Sequence, residues 1–263
     1  MNNQEFITKA KQIATGYKTV YMWGTFGAPL SQSLIAQKAK QYPSFYPAAT
    51  QRNLQSLIGK GYYAFDCVGL IKGILWGWDA EALKAYGGAT YKSNGVPDTG
   101  ANGFINLCKE VNTNFSTIVP GEVVWMNGHI GIYIGSGRVI EATPAWANGV
   151  QITACANIGN VAGLNSRTWT KHGKVPYISY VSTTTLEIPA ISLYNTQSNI
   201  ASDAEAFINL GVRLYAEQKT EGANKGRWAI EIPKQSMIFE TVDDARHVAT
   251  LLKSLGHSLI TVP

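Results

Sequence analysis

The sequence predicts an α+β protein: a domain over residues 1–180 in which helices pack on a small antiparallel sheet, a linker over 181–190, and a small α/β module over 191–263. Three observations carry that prediction. Apolar residues recur at helical spacing early in the chain, and after Pro120 the period changes to two. Beyond the Thr-rich, proline-bearing stretch "VSTTTLEIPA", helix and strand candidates alternate.

The elements follow in order. Phe6, Ile7, Ala10, Ile13 and Ala14 form an apolar stripe ended by Gly16, which predicts an amphipathic opening helix. "YMWGTFGAPL" then breaks into Gly and Pro, and a polar stretch from Ser31 to Lys60 carries Pro43 and Pro47. Val68, Leu70, Ile71, Ile74 and Leu75 suit a mostly buried helix starting near Asp66, and residues 86–103 read as a loop rich in Gly, Asn, Thr and Pro. "GEVVWM", "HIGIYIGSG", "RVIEAT" and "VQITAC" are short β-rich runs separated by turn residues, as in an antiparallel meander. The C-terminal module is expected to run strand (Ile191–Tyr194), helix (Ala201–Glu217), strand (Arg227–Ile232), helix (Val242–Leu255), strand (Ser258–Val262).

Composition narrows the functional classes. A chain of 263 residues that is 45% hydrophobic and 15% charged buries a proper core and is not a disordered polymer. No run approaches the roughly 18 apolar residues that span a bilayer, and "MNNQEFITKAKQIATGYK" has no apolar h-region, so neither a secretory signal nor stable membrane association is expected. Three cysteines without a CxxC fit neither a disulfide framework nor a zinc cluster, and no metal or other cofactor is expected. The net charge of +5 is uneven: residues 1–182 carry 15 Lys+Arg against 8 Asp+Glu, and residues 183–263 carry 7 against 9. A basic first part suits an anionic partner such as a cell-wall polymer. Without an Arg/Lys cluster or a Gly-rich phosphate loop, nucleic acid is not the expected partner.

The chemistry concentrates in "YYAFDCVGLIKGILWGW", where Asp66 and Cys67 interrupt an apolar, aromatic run. A cysteine in a helix is most often a small buried apolar residue, so a catalytic reading needs partners. At a helix N-terminus the free N–H groups and the dipole favour an anion, which would lower the Cys67 thiol pKa. A base is also required. Among four histidines, His129 in "NGHIGIYIG" stands just after a turn at the start of an alternating strand, whereas His172, His247 and His257 sit in polar or helical surroundings and read as surface residues. In the hairpin that follows, Glu141 comes alongside His129, where it would orient the imidazole. Cys108 and Cys155 lack comparable company and read as packing residues.

"YMWG", "FDCVGL" and "GHIGIYIGSGRVIEA", in that order, resemble the three signatures of the NlpC-type cell-wall cysteine peptidases, a papain-like family, over roughly Gln4 to Tyr180. The resemblance implies a papain-like domain with Cys67 as nucleophile, His129 as base and Glu141 as orienter, while Tyr21, Trp23 and Asp66 line the substrate site. Val68 stands where that family has Ser, Thr25 where it has a second Gly, and the segment between Tyr21 and Cys67 is longer than the family pattern. Glu141 is closer to the related CHAP amidases. The implied activity is hydrolysis of an amide in peptidoglycan stem peptides, with N-acetylmuramoyl-L-alanine amidase action or non-catalytic wall binding as alternatives. A cytosolic acyltransferase or deubiquitinase-like relative would need a substrate that no motif indicates. A signal-less wall hydrolase with a small C-terminal module is similar to a bacteriophage endolysin, held in the host cytoplasm until released to the wall. On that reading the module binds the wall, and the oligomeric state is left open.

Overall fold

In the computed structural model, whose described residues are 1–181, 184–188, 190–195, 204–205, 214–233, 235–239, 248–250 and 252, the chain opens with α1 (Asn3–Gly16). Asn2 and Glu5 close a capping box over its first turn, each side chain accepting from the other's backbone N–H at 2.9 Å. Phe6, Ile7, Ala10 and Ile13 are buried, the stripe that the spacing predicts. Next come β1 (Lys18–Tyr21), β2 (Phe26–Pro29), α2 (Gln32–Gln41), α3 (Ala48–Gln55) and β3 (Tyr62–Phe65). The three strands form a sheet of order β1-β3-β2, with β1 parallel and β2 antiparallel to β3. Leu34, Ile35 and Leu54 of α2 and α3 pack with Val20, Met22, Ala28 and Ala64 of this sheet and the residue following β1.

The chain continues through α4 (Cys67–Leu75), α5 (Ala101–Leu107), β4 (Lys109–Asn112), β5 (Val123–Met126), β6 (His129–Gly135), β7 (Arg138–Thr143), β8 (Gly149–Cys155), β9 (Ser166–Arg167) and β10 (Lys171–Lys174). Every residue of α4 is buried, so this helix is core on all sides. β4 to β10 make one curled seven-stranded sheet of order β4-β10-β5-β6-β7-β8-β9. Strand alternation sorts its side chains. Ile130, Ile132, Ile140 and Ala142 join the cluster built on α1, α4 and α5, while Val124, Tyr133, Val139 and Cys155 meet Phe115 and Trp169 in another.

The expected papain-like layout, helices on a small antiparallel sheet, is overturned by this architecture. The meander β5 to β8 is present, but β4, β9 and β10 extend it to seven strands, β9 runs parallel to β8, and a separate mixed sheet forms before α4. These extra strands lack the alternation that marks a strand in sequence. β4 is exposed along its length, and "KHGK" of β10 is held by pairing on both sides and by the burial of His172 rather than by apolar residues. His172 is 2% exposed and not a surface residue: Nδ1 pairs with the buried Glu122 and Nε2 with the Asn114 carbonyl at 3.0 Å.

The chain comprises two compact units, Met1–Tyr180 and Val181–Pro263. The second unit contains β11 (Thr184–Ile188), β12 (Ile191–Asn195), β13 (Tyr215–Gln218), β14 (Trp228–Ile232) and β15 (Gln235–Phe239). β11 pairs with β15, and the other three form a sheet of order β12-β14-β13, all antiparallel. Residues 184–188, expected in a linker, are therefore a strand. Tyr215–Glu217, expected at the end of a helix, lie in β13, because the polar turn before Trp228 folds them back onto β14. Of the helix expected at 242–255, residues 248–250 and 252 are described and helical; the strand expected at 258–262, and His247 and His257, lie outside the described residues.

Candidate active site

Asp66 sets the position of Cys67. It is the N-cap of α4, with Oδ1 accepting from the Gly69 N–H at 2.5 Å and Oδ2 from the Gly24 N–H at 2.8 Å. Its own N–H donates to the Thr25 carbonyl at 3.0 Å. One carboxylate thus ties the first turn of α4 to the Tyr21–Thr25 segment. Burial pushes the Asp66 carboxyl above its usual range, against the pull of these two N–H donors and Lys72.

Gly69 and Gly73, four residues apart on one face of α4, let the helix sit directly on the chain. A Cβ at Gly69 would overlap the Thr25 carbonyl oxygen, and one at Gly73 would lie 2.7 Å from the Phe26 carbonyl oxygen. This approach brings Cys67 to the wall of a cavity of about 590 Å³, also lined by Trp23, Lys38, Asp66, Lys72, Asp98 and Gly128. The volume falls within the usual range of small-molecule sites.

The thiol is 3% exposed. Burial pushes its pKa up to about 12, and the Asp66 charge acts the same way, while the backbone N–H groups of Ile130, Val68 and Cys67 oppose them. The expectation that the helix terminus lowers the Cys67 pKa is reversed: removal from water and an adjacent carboxylate outweigh the dipole.

His129 begins β6, right after Gly128, and its Nε2 lies 2.6 Å from Glu141 Oε2. In the β6–β7 pairing Ile132 faces Ile140, so His129 and Glu141 are diagonal neighbours. Between them stands Gly131, where a Cβ would come within 2.7 Å of Val139 and 3.3 Å of Trp169. The bare backbone there leaves room for the Trp169 ring, which stacks on the His129 imidazole with centroids 5.5 Å apart and planes 13° from parallel.

Glu141 has no solvent exposure, yet all its bonding capacity is used. Besides His129, Thr153 donates to Oε1 at 2.7 Å and Arg167 Nε reaches both oxygens at 3.2 and 3.0 Å. Burial pushes this carboxyl up, but His129, Thr153 and Arg167 together bring it below its usual range. The Arg167 guanidinium is itself stacked between Trp146 and Trp169, at 4.9 and 5.7 Å from their ring centres.

Nε2 is committed to Glu141, so Nδ1 is the imidazole nitrogen left for a thiol. The two halves meet at Ile130, one residue from His129, which packs in the same core cluster as Cys67 and whose N–H pulls the thiol pKa down. Among the described residues the resting thiol makes no hydrogen bond to the His129 ring. His129 and Glu141 share the strand phase of Tyr133 and Val139, toward Trp169, whereas Ile130 faces α4.

Of the three residues expected to line the substrate site, Trp23 and Asp66 line the cavity beside Cys67. Asp66 has both oxygens engaged by backbone. Tyr21 lines a neighbouring cavity with Trp23 and Tyr46, and burial and the nearby Cys67 and Asp66 push its hydroxyl pKa up. Trp23 stacks on Phe45 at 4.1 Å. Sequence reasoning passed over Thr153, Arg167 and Trp169, and also Lys38, Lys72 and Asp98. The Arg-x-Trp of "SRTW" was the available signal for the first group, since an Arg between aromatics suits a carboxylate that must stay charged.

No protein-family model matches the chain, and a search of curated proteins gives no match. Among the described residues no cluster of three or more His, Cys, Asp or Glu could hold a metal ion, and no helix is long and apolar enough to cross a membrane.

Proposed function

We propose that this chain is a cysteine hydrolase that cleaves an amide bond in peptidoglycan stem peptides, with the motif order of the NlpC-type peptidases. One observation carries the proposal: Cys67 lines the cavity at a helix N-terminus and shares a core cluster with Ile130, the residue after His129 on the strand that presents the His129–Glu141 pair. With its thiol pKa near 12, Cys67 attacks as a neutral thiol that loses its proton in the same step. His129 Nδ1, which makes no hydrogen bond to the resting thiol, must close on the sulfur to take that proton while sulfur bonds to the amide carbon and the carbonyl π pair moves to oxygen. The oxyanion is held by the Cys67 N–H. Collapse breaks the C–N bond, and His129 returns the proton to the leaving amine. Water, deprotonated by His129, then cleaves the thioester and restores the thiol. Glu141 and Arg167 hold the ring and its charge throughout.

The test is clearing of purified Gram-positive cell walls by wild type and by Cys67→Ala, with mass spectrometry of the soluble products. Clearing by wild type alone supports the hydrolase, and Cys67→Ala with full activity sinks it. The new terminus separates cleavage within the stem peptide from amidase cleavage at the muramoyl–alanine bond. The proposed setting is a bacteriophage endolysin that reaches the wall from the host cytoplasm, its second unit binding cell-wall polymer. Wall pull-down of residues 181–263 fused to a fluorescent protein checks that part.

A further inference from the structure

The cavity beside Cys67 contains four charged side chains: Lys38, Asp66, Lys72 and Asp98. Three are satisfied from within the protein. Asp66 is held by the Gly24 and Gly69 N–H groups. Lys72 and Asp98 pair with each other, and the outer valences are filled by the Thr99 carbonyl at 3.0 Å from Lys72 and by the Tyr91 hydroxyl at 2.8 Å from Asp98.

Lys38 differs. It projects from α2 and is 9% exposed, but among the described residues it forms no ion pair. Among the described residues its one hydrogen bond, at 3.2 Å, goes to the neutral amide oxygen of Gln41, and the Tyr42 ring centre lies 5.8 Å away. An ammonium carries three donors, so two remain open. Burial lowers its pKa, which Asp66 and Asp98 only partly offset. Lys38 lines the cavity, so these open donors are available to an anion bound there. The segment between Tyr21 and Cys67 that brings α2 over the cavity is the part that departs in length from the motif pattern.

We propose that Lys38 is an anion receptor for a carboxylate of the substrate, held in the same cavity as the Cys67 thiol. The proposal rests on the hydrolase reading and narrows its substrate to amides that carry a free carboxylate near the cleaved bond. A stem peptide is an amide chain with such carboxylates, which some walls convert to carboxamides, so Lys38 would sort one wall chemistry from the other. Lys72 cannot take this role because Asp98 already occupies it.

The experiment uses two synthetic stem tetrapeptides, identical except that one has free side-chain and α-carboxylates and the other carboxamides. Wild type should favour the carboxylate peptide in kcat/KM by about tenfold or more, the scale of one hydrogen bond to a charged group. In Lys38→Met the ratio should fall to about one, and in Lys38→Arg it should stay well above one. Calorimetric binding to Cys67→Ala protein gives a readout independent of turnover, with thermal melts confirming that each variant is folded. Equal binding of the two peptides by Cys67→Ala protein, or an undiminished preference in folded Lys38→Met, overturns the proposal. Carboxylate-selective binding that Lys38→Met abolishes, without cleavage of either peptide by wild type, upholds the Lys38 site and overturns the hydrolase.

Discussion

His129 Nε2 lies 2.6 Å from Glu141 Oε2, and that carboxylate is completely buried while also bonded to Thr153 and Arg167. A buried charge with this many partners has one position and one protonation state, so it fixes the imidazole that depends on it.

Glu141→Gln keeps the shape but loses the charge, and its amide can donate to Nε2, which favours the wrong tautomer. The expected loss is on the order of a thousandfold in kcat with little change in KM, as for loss of the orienting carboxylate in a catalytic triad. Steady-state kinetics on a released wall fragment checks this. Activity within tenfold of wild type would remove Glu141 from the machinery.

Arg167 predicts a stability effect separate from activity. Arg167→Leu strips the Glu141 carboxylate of its cation while it stays buried, costing on the order of 3 kcal/mol, read as a lower urea midpoint at unchanged slope. The pH dependence follows in sign. Glu141 has a folded pKa below its ordinary 4.5, so its contribution is complete above about that value and disappears as pH falls through the lower folded value. In Arg167→Leu the folded value moves up toward the ordinary one, so this acid-dependent loss should shrink.

The thiol supplies a third prediction. With Cys67 pushed up to about 12, its alkylation by iodoacetamide should rise with pH through the alkaline range, without a plateau near neutrality. A plateau between about pH 5 and 7 would mean a preformed thiolate–imidazolium pair.

The legible parts of this chain were those whose signal is local. The α1 stripe, the buried helix after Asp66 and the four alternating runs from Val123 to Cys155 each announce themselves within a few residues, and the twelve-residue interval from His129 to Glu141 suits one hairpin. What stayed hidden depends on distant partners. "KHGK" becomes a strand because Glu122 and the Asn114 carbonyl receive His172 from 50 and 58 residues away. Arg167 joins Glu141 across 26 residues. The Cys67 thiol was misjudged because helix position is visible in sequence, whereas the desolvation that outweighs it is a property of the packed core.

The glycines of α4 give the last prediction. In sequence they look like flaws in an apolar helix, since Gly costs about 1 kcal/mol against Ala in a helix interior. In the fold they are contact surfaces: Gly69 meets the Thr25 carbonyl and Gly73 the Phe26 carbonyl, both backbone atoms that cannot rotate aside. Ala at either site must lift α4 off β2 and carry Cys67 with it, so the gain in propensity is outweighed by overpacking of about 1–3 kcal/mol. Gly69→Ala should be the worse of the two, because its Cβ would also lie 2.9 Å from Asp66 Oδ1, the atom that caps the helix. Gly16→Ala at the end of α1 is the control: nothing lies within 4 Å of its added Cβ, and its stability should hold or rise. Urea midpoints and wall-clearing rates for the three variants settle the point. If Gly69→Ala matched Gly16→Ala in both, the close seating of α4 on the Thr25 carbonyl would be wrong, and with it the placement of the thiol.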